Sequence, residues 1–320
     1  MGAEVRRRGA LITLALMIAL GGGAGAIAAA DKKDPSEAAF QKGRLGDRLY
    51  RLYVPRALAV PNDAPRAEGA RVPLVVALHG CWQTPEDFAL GTRLNEVAER
   101  RNLVVLYPAQ GRRDNISRCW NWFEPAAMAG SETNQLITLI RHVVKEQRAA
   151  DRVIVLGFSA GGFMAVNLGC HAPALVRGVG VAAGGPYRCG VGVDAGLQCM
   201  LGQHVNGEKS ATECRGAMGA SSARVRASLW HGSNDVVVNP VNLDALALMF
   251  ARLAGVTAST EDRREGAVYS LYRDASGRPW LETWLIPGMG HAWSGGDIRA
   301  THTYPSGPSA TERMLDFLLE

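Results

Sequence analysis

The chain reads as an α/β protein built on a mainly parallel sheet with helices on both faces. Three observations lead there. Short apolar runs alternate with stretches of helical spacing from residue 49 to residue 286. The runs are rich in Val, Ile and Leu with little polar alternation, as strands buried on both faces require. The 320 residues are 47% hydrophobic and 20% charged, a composition that builds a sizeable core.

Residues 1–30 have a basic start (Arg6, Arg7, Arg8), an apolar stretch from Ala10 to Leu20, a glycine-alanine run, and Ala28-Ala29-Ala30 before Asp31-Lys32-Lys33. This is the layout of a secretory signal peptide. The apolar part is short for a membrane span, and glycines from Gly21 to Gly25 dilute it. Export to the extracellular or periplasmic space, with no stable membrane anchor after processing, is the expectation. A polar linker over 31–46 and a single folded domain over 47–320 complete the expected organisation. No internal repeat and no second domain suited to adsorbing on an insoluble polymer is visible.

Within that domain, Leu49 to Val54 reads as a first strand and the proline-rich Pro55 to Ala70 as a surface loop. Val72 to Leu78 is an apolar strand ending in His79-Gly80-Cys81. Pro85 to Arg101 has helical spacing and Leu103 to Tyr107 is a buried strand. Ser131 caps a helix whose apolar face carries Leu136, Ile140, Val143 and Val144. A strand from Val153 leads into a further helix, and Val176 to Ala182 and Arg226 to Trp230 add strands. Gly184 to Ser222, rich in small residues and with little periodicity, reads as an excursion over the edge where the strands end. Val268 to Arg273 and Leu281 to Ile286 flank the turn sequence Asp274-Ala275-Ser276-Gly277, which suits two paired late strands.

The formal charge of +5 falls once Arg6, Arg7, Arg8 and Glu4 leave with the leader. The remaining Arg and Lys are scattered, without a basic stripe interleaved with aromatics, so nucleic acid is not expected as a partner. The six cysteines, Cys81, Cys119, Cys170, Cys189, Cys199 and Cys214, fit an oxidising compartment. Cys189 with Cys199 would close a short loop, and Cys81 with Cys119 would join two segments beside the candidate site; other pairings remain open at this point. No C-x-x-C pair or H-E-x-x-H pattern occurs, so neither a metal nor a cofactor is expected.

The densest chemical signal is Gly157-Phe158-Ser159-Ala160-Gly161, at the end of an apolar strand and the start of a helix. A serine at such an elbow sits in strained backbone, and small residues two positions either side avoid collision. Ser159 is therefore the candidate nucleophile, the plain alternative being a bystander serine in a glycine-rich turn. A serine hydroxyl needs a base to take its proton and an acid to orient that base. In this architecture the order runs serine, acid, histidine. Asp235 follows the apolar Leu229-Trp230 strand end, and His291 follows the last strand in Pro287-Gly288-Met289-Gly290-His291. Asp235 alone would pass for a turn aspartate bonding its own backbone. His142, His171, His204 and His302 read as ordinary histidines, and His231 as one that packs or bonds locally. The oxyanion that forms on attack needs fixed donors, each contributing about 3 kcal/mol. The amides of Ala160 and Cys81 are the candidates, with His79 bracing the Cys81 loop.

Leu78-His79-Gly80-Cys81 with Gln83, Cys119-Trp120-Asn121-Trp122, Gly157-Phe158-Ser159-Ala160-Gly161-Gly162, Trp230-His231-Gly232 with Asp235, and Gly290-His291-Ala292-Trp293-Ser294-Gly295-Gly296 occur in this order. Together they resemble the polyhydroxybutyrate depolymerase-type esterases of the α/β-hydrolase superfamily, from about Arg44 to Glu320. The resemblance implies a secreted carboxylic-ester hydrolase with Ser159, Asp235 and His291 as its triad. Its substrates would be hydroxyalkanoate oligomers or similar small or polymeric esters. Feruloyl or acetyl xylan esterase is the alternative within the family; a serine peptidase and a binding protein that has lost catalysis are alternatives outside it. Trp82, Trp120, Trp122 and Trp293 lie next to these motifs, where they could form an apolar wall for an acyl chain or an aromatic acid, or else roof the core.

Overall fold

Every central strand carries two sets of apolar side chains, one for each face of the sheet, and this alternation sets the layers. The computed structural model describes residues 40–58, 71–125, 131–256 and 258–320. The leader expected over 1–30 and most of the proline-rich loop lie outside them. The described part opens with a hairpin of β1 (Phe40–Leu45) and β2 (Arg48–Tyr53), which turns at Gly46 with φ 57°. The stretch expected as linker to residue 46 is thus a strand from Phe40 onward. Its polar sequence fits because it pairs on one side only and is largely exposed.

There follow β3 (Leu74–Leu78), α1 (Pro85–Thr92), α2 (Leu94–Arg101), β4 (Val104–Pro108), α3 (Glu132–Glu146), β5 (Val153–Phe158), α4 (Ala160–His171) and β6 (Val176–Ala182). Next come α5 (Val193–Met200), α6 (Gly207–Met218), β7 (Arg226–Gly232), α7 (Val241–Ala254), β8 (Ala258–Arg264), β9 (Ala267–Arg273) and β10 (Pro279–Ile286). The chain closes with β11 (Trp293–Ser294), β12 (Thr303–Tyr304) and α8 (Ala310–Leu319). The long helix expected from Pro85 to Arg101 is two helices, broken at Arg93, which takes φ 55°. Ser131 caps α3 by accepting the Asn134 amide at 3.4 Å.

Ten described strands form one sheet in the order β1-β2-β4-β3-β5-β6-β7-β10-β9-β8. The central six, β4 through β10, run parallel, while the pairs at either flank are antiparallel. Val76, Leu78, Val155, Val179 and Leu229 face α3, α4 and α7 residues such as Ile140, Met164 and Phe250. Their neighbours Val75, Ala77, Ile154, Leu156 and Trp230 join the opposite cluster with Phe88, Val97, Met314 and Leu315 of α1, α2 and α8. Each fully buried Leu or Val side chain of this kind contributes roughly 1.5–3 kcal/mol.

The stretch from Gly184 to Ser222 departs from expectation. It holds two helices, of which α6 packs against α4 and α7 along one face of the sheet. Small residues permit that close approach: a Cβ on Gly207 would lie 2.5 Å from the Ala245 carbonyl oxygen. All six cysteines are paired, as Cys81–Cys119, Cys170–Cys214 and Cys189–Cys199.

Candidate active site

The carboxyl ends of β5, β7 and β10 point to one rim of the sheet, with β6 between the first two, and each hands one candidate side chain to that rim. The β5–α4 turn is the tightest. Ser159 adopts φ 55° and ψ −122°, a conformation that costs a residue with a Cβ on the order of 1–3 kcal/mol. Glycines make it possible: a Cβ on Gly157 would sit 2.1 Å from the Gly161 oxygen, and one on Gly161 would sit 2.1 Å from the Leu78 oxygen. The Ser159 amide is tied to the Ala182 oxygen at 2.9 Å.

Past β7, Asp235 is buried in a turn that it organises itself. Its Oδ1 accepts the amides of Val237 and Val238, both at 2.9 Å. Its Oδ2 accepts His291 Nδ1 at 2.7 Å. Asp235 and His291 meet because the loop after β10 can lie against the end of β7. A Cβ on Gly232 would come within 2.2 Å of the Met289 oxygen, and the Asn234 amide donates to that same oxygen at 3.0 Å. The Phe158 ring, one residue before Ser159, then stands 4.8 Å from the His291 ring. Ser159, Asp235 and His291 are all brought to this rim.

Burial alone would push the Asp235 carboxyl up, but hydrogen bonds from His231 and His291 outweigh it and hold the group well below the usual carboxylate range. An ionised Asp235 can only accept, so His291 donates from Nδ1 and keeps its Nε2 lone pair for a proton. His231 was expected only to pack or bond locally, and it does more. Its Nε2 donates to the Val238 oxygen at 2.8 Å and lies 3.4 Å from Asp235 Oδ2. It thus braces the same Asp235 turn that holds His291.

The two candidate oxyanion donors lie on neighbouring segments. The contact of Gly161 with Leu78 seats the amino end of α4 against the loop that carries Cys81. Among the described residues, neither the Ala160 amide nor the Cys81 amide has an acceptor. The helix end adds its partial positive charge at the same place. Several bonds fix the Cys81 loop: the disulfide to Cys119, the Trp82 amide to the Ser117 oxygen at 2.6 Å, and Gln83 Oε1 on the Gly80 amide at 2.9 Å. His79 is fully buried beneath it, with Nδ1 donating to the Gly80 oxygen and Nε2 accepting the Gln110 amide. Burial brings its pKa down to about 4, so the bracing ring is neutral.

The aromatic wall needs correction. Trp120 is buried and donates from Nε1 to the His79 oxygen, Trp122 is buried and stacks on Phe163, and Trp293 is buried and donates to Thr311. These three roof the core, each indole packed into a buried apolar cluster. Trp82 alone of the four is exposed, at 43%, one residue after Cys81. The sequence motif included Gln83 without assigning it a role, and Thr301 carried no signal at all. Gln83 bonds Thr301 and Asp87 and so ties the Cys81 loop to the segment between β11 and β12.

Comparison with known proteins agrees with this architecture. The chain is 32% identical over 246 residues to poly(3-hydroxyalkanoate) depolymerase C of Paucimonas lemoignei, covering 74% of this chain and 59% of that one. It is 28% identical over 204 residues to feruloyl esterase B of Neurospora crassa, covering 60% of this chain and 65% of that one. The chain thus spans less than two thirds of the length of either relative. Among solved structures, an acetyl xylan esterase from Aspergillus awamori superposes with a TM-score of 0.65 at 18% identity, over 85% of this chain and 94% of that one, which marks the fold as that of the α/β hydrolases. The family model described as esterase PHB depolymerase matches residues 54–271, and the chain belongs to that family.

Proposed function

We propose that the protein is a secreted serine carboxylic-ester hydrolase. Ser159 Oγ attacks the ester carbonyl while His291 Nε2 takes its proton, and the amides of Ala160 and Cys81 receive the oxyanion. His291 then gives the proton to the departing alcohol, and water releases the acyl group by the reverse proton path. Asp235 holds His291 in the tautomer that presents Nε2. The observation that carries this reading is the 2.7 Å bond from His291 Nδ1 to a buried Asp235, at the same rim as a serine in a strained elbow. The signal-like layout of the first thirty residues and three disulfides support export.

Hydroxyalkanoate oligomers are the preferred substrates, supported by the family match and the depolymerase relative. Esters of plant polysaccharides are the second reading, favoured by the exposed Trp82 beside the oxyanion loop and by the feruloyl esterase relative. Ser159→Ala should abolish hydrolysis of nitrophenyl butyrate while leaving the melting transition in place. Retained turnover in that variant would end the proposal. A panel of hydroxybutyrate oligomers, polyester film, methyl ferulate and acetylated xylan then ranks the substrates.

A further inference from the structure

The opposite edge of the sheet, where the parallel strands begin, carries a cavity of about 350 Å³ lined by Arg152, Arg177, Arg224, Arg226, Arg278 and Trp280. The sequence does not cluster these arginines; the topology does. Arg152 precedes β5, Arg177 is the second residue of β6, Arg224 and Arg226 stand at the start of β7, and Arg278 precedes β10. Because β5, β6, β7 and β10 are adjacent and parallel, their amino ends bring five guanidinium groups to one mouth. The carboxylates near them are Asp274, which meets Arg224 at 3.6 Å, with Glu320 and Glu282 acting on Arg226. Cations outnumber anions.

Several of these side chains are held in place ahead of any ligand. Arg152 is anchored on the carbonyl oxygens of Pro173, Val176 and Arg224, and Arg177 on that of Leu319. Arg224 and Arg278 lie over the Trp280 ring, 5.1 and 5.0 Å from its centroid, and Trp280 is itself fixed by its Nε1 bond to Asp274. Arg226 is the telling member. It is only 5% exposed, packs over the Phe317 ring, and its buried Nε has no hydrogen-bond partner among the described residues. A buried donor left unsatisfied costs about 1–3 kcal/mol, more where the group is charged. A preorganised cluster of planar forks around such a donor matches an oxyanion that can accept several bonds at once.

We propose that this cavity binds a multivalent oxyanion of the phosphate class. The site is independent of ester hydrolysis. It lies at the far end of strands such as the seven-residue β7, roughly 20 Å from the Asp235 rim at about 3.3 Å per residue. The phosphate could be soluble or a lipid headgroup, and two arms separate these sources. In the first, sodium pyrophosphate is titrated into the mature protein, read by calorimetry and by melting temperature, with sodium chloride at matched ionic strength beside it. In the second, the protein is sedimented with phosphatidylglycerol vesicles, with phosphatidylcholine vesicles as control and pyrophosphate as competitor.

Saturable pyrophosphate binding that chloride does not reproduce supports a soluble ligand. Sedimentation with the anionic vesicles that pyrophosphate reverses supports a headgroup. Arg278→Gln removes an exposed guanidinium with no hydrogen bond among the described residues, and Arg177→Gln/Arg278→Gln removes two positive charges. Both should turn over nitrophenyl butyrate at the wild-type rate, while the double variant binds either probe at least fivefold more weakly. Absence of binding to both probes, an equal response to chloride, or unchanged affinity in the folded double variant would overturn the assignment.

Discussion

Gly161→Ala tests the elbow most directly, since a single methyl group would enter a space bounded by backbone. The added Cβ would stand 2.1 Å from the Leu78 oxygen and 2.7 Å from the His79 oxygen. Carbon and oxygen atoms settle no closer than about 3 Å, so α4 and the Cys81 loop must separate by about 1 Å. That gap lies between the two amides that would share the oxyanion. A displacement of about 1 Å can cost on the order of a hundredfold in rate, or about 2.7 kcal/mol of barrier. Overpacking also lowers stability by roughly 1–3 kcal/mol. The assay is kcat/KM on nitrophenyl butyrate, with urea unfolding of the same preparation. Gly216→Ala, in α6 with nothing within 4 Å of the added carbon, is the matched control. It should gain about 0.5–1 kcal/mol of stability and keep full activity. If folded Gly161→Ala stays within twofold of wild-type kcat/KM, the convergence of Cys81 and Ala160 on one oxyanion is wrong.

Two further outcomes follow from the buried carboxyl groups. Asp235→Asn should preserve the fold yet lower kcat about 10⁴-fold, because His291 loses the acceptor that selects its tautomer; stopped-flow and steady-state measurements against wild type would show it, and a loss under tenfold would contradict it. Glu282, buried in β10 and bonded by Ser228 Oγ at 2.6 Å, has its pKa pushed up to about 7 from 4.5, chiefly by burial. The folded state therefore holds a proton that the unfolded chain has already released, and stability from this group is full below about pH 4.5 and lost as pH rises through 7. Glu282→Gln should remove that loss, so the stability difference between variant and wild type should grow by on the order of 3 kcal/mol between pH 4.5 and pH 8 in urea titrations. A difference independent of pH would refute it.

The parts of the molecule that were legible are those where local sequence and tertiary role coincide. Ser159, Asp235 and His291 each follow an apolar run that could only be a central strand, so their place at one rim followed from the chain direction of a parallel sheet. The flanks were harder. β8 contains Glu261, Asp262, Arg263 and Arg264, and β1 contains Gln41, Lys42 and Arg44; a strand with one neighbour and exposed faces shows no apolar signal. The helices α5 and α6 were hidden by glycine and alanine, which fit tightly against neighbours but carry no periodicity. The tryptophans were misplaced for a different reason. Proximity in sequence to a reactive residue says where a backbone passes and nothing about which way a large ring turns, and three of four turned inward. Gly232 went unrecognised as a support because its role depends on the loop after β10, more than fifty residues downstream, whereas the bonds of His231 to Val238 and Asp235 are local.

A sheet that is not closed into a barrel leaves two ladders of backbone donors and acceptors without a mate. Here both outermost strands expose charged side chains along that ladder, with Lys42 and Arg44 at one margin and Glu261 to Arg264 at the other. A foreign strand approaching either margin would have to strip water from these ions before gaining a single backbone bond. Edge-to-edge pairing between copies is opposed in the same way, by the very residues that made the outer strands hard to see.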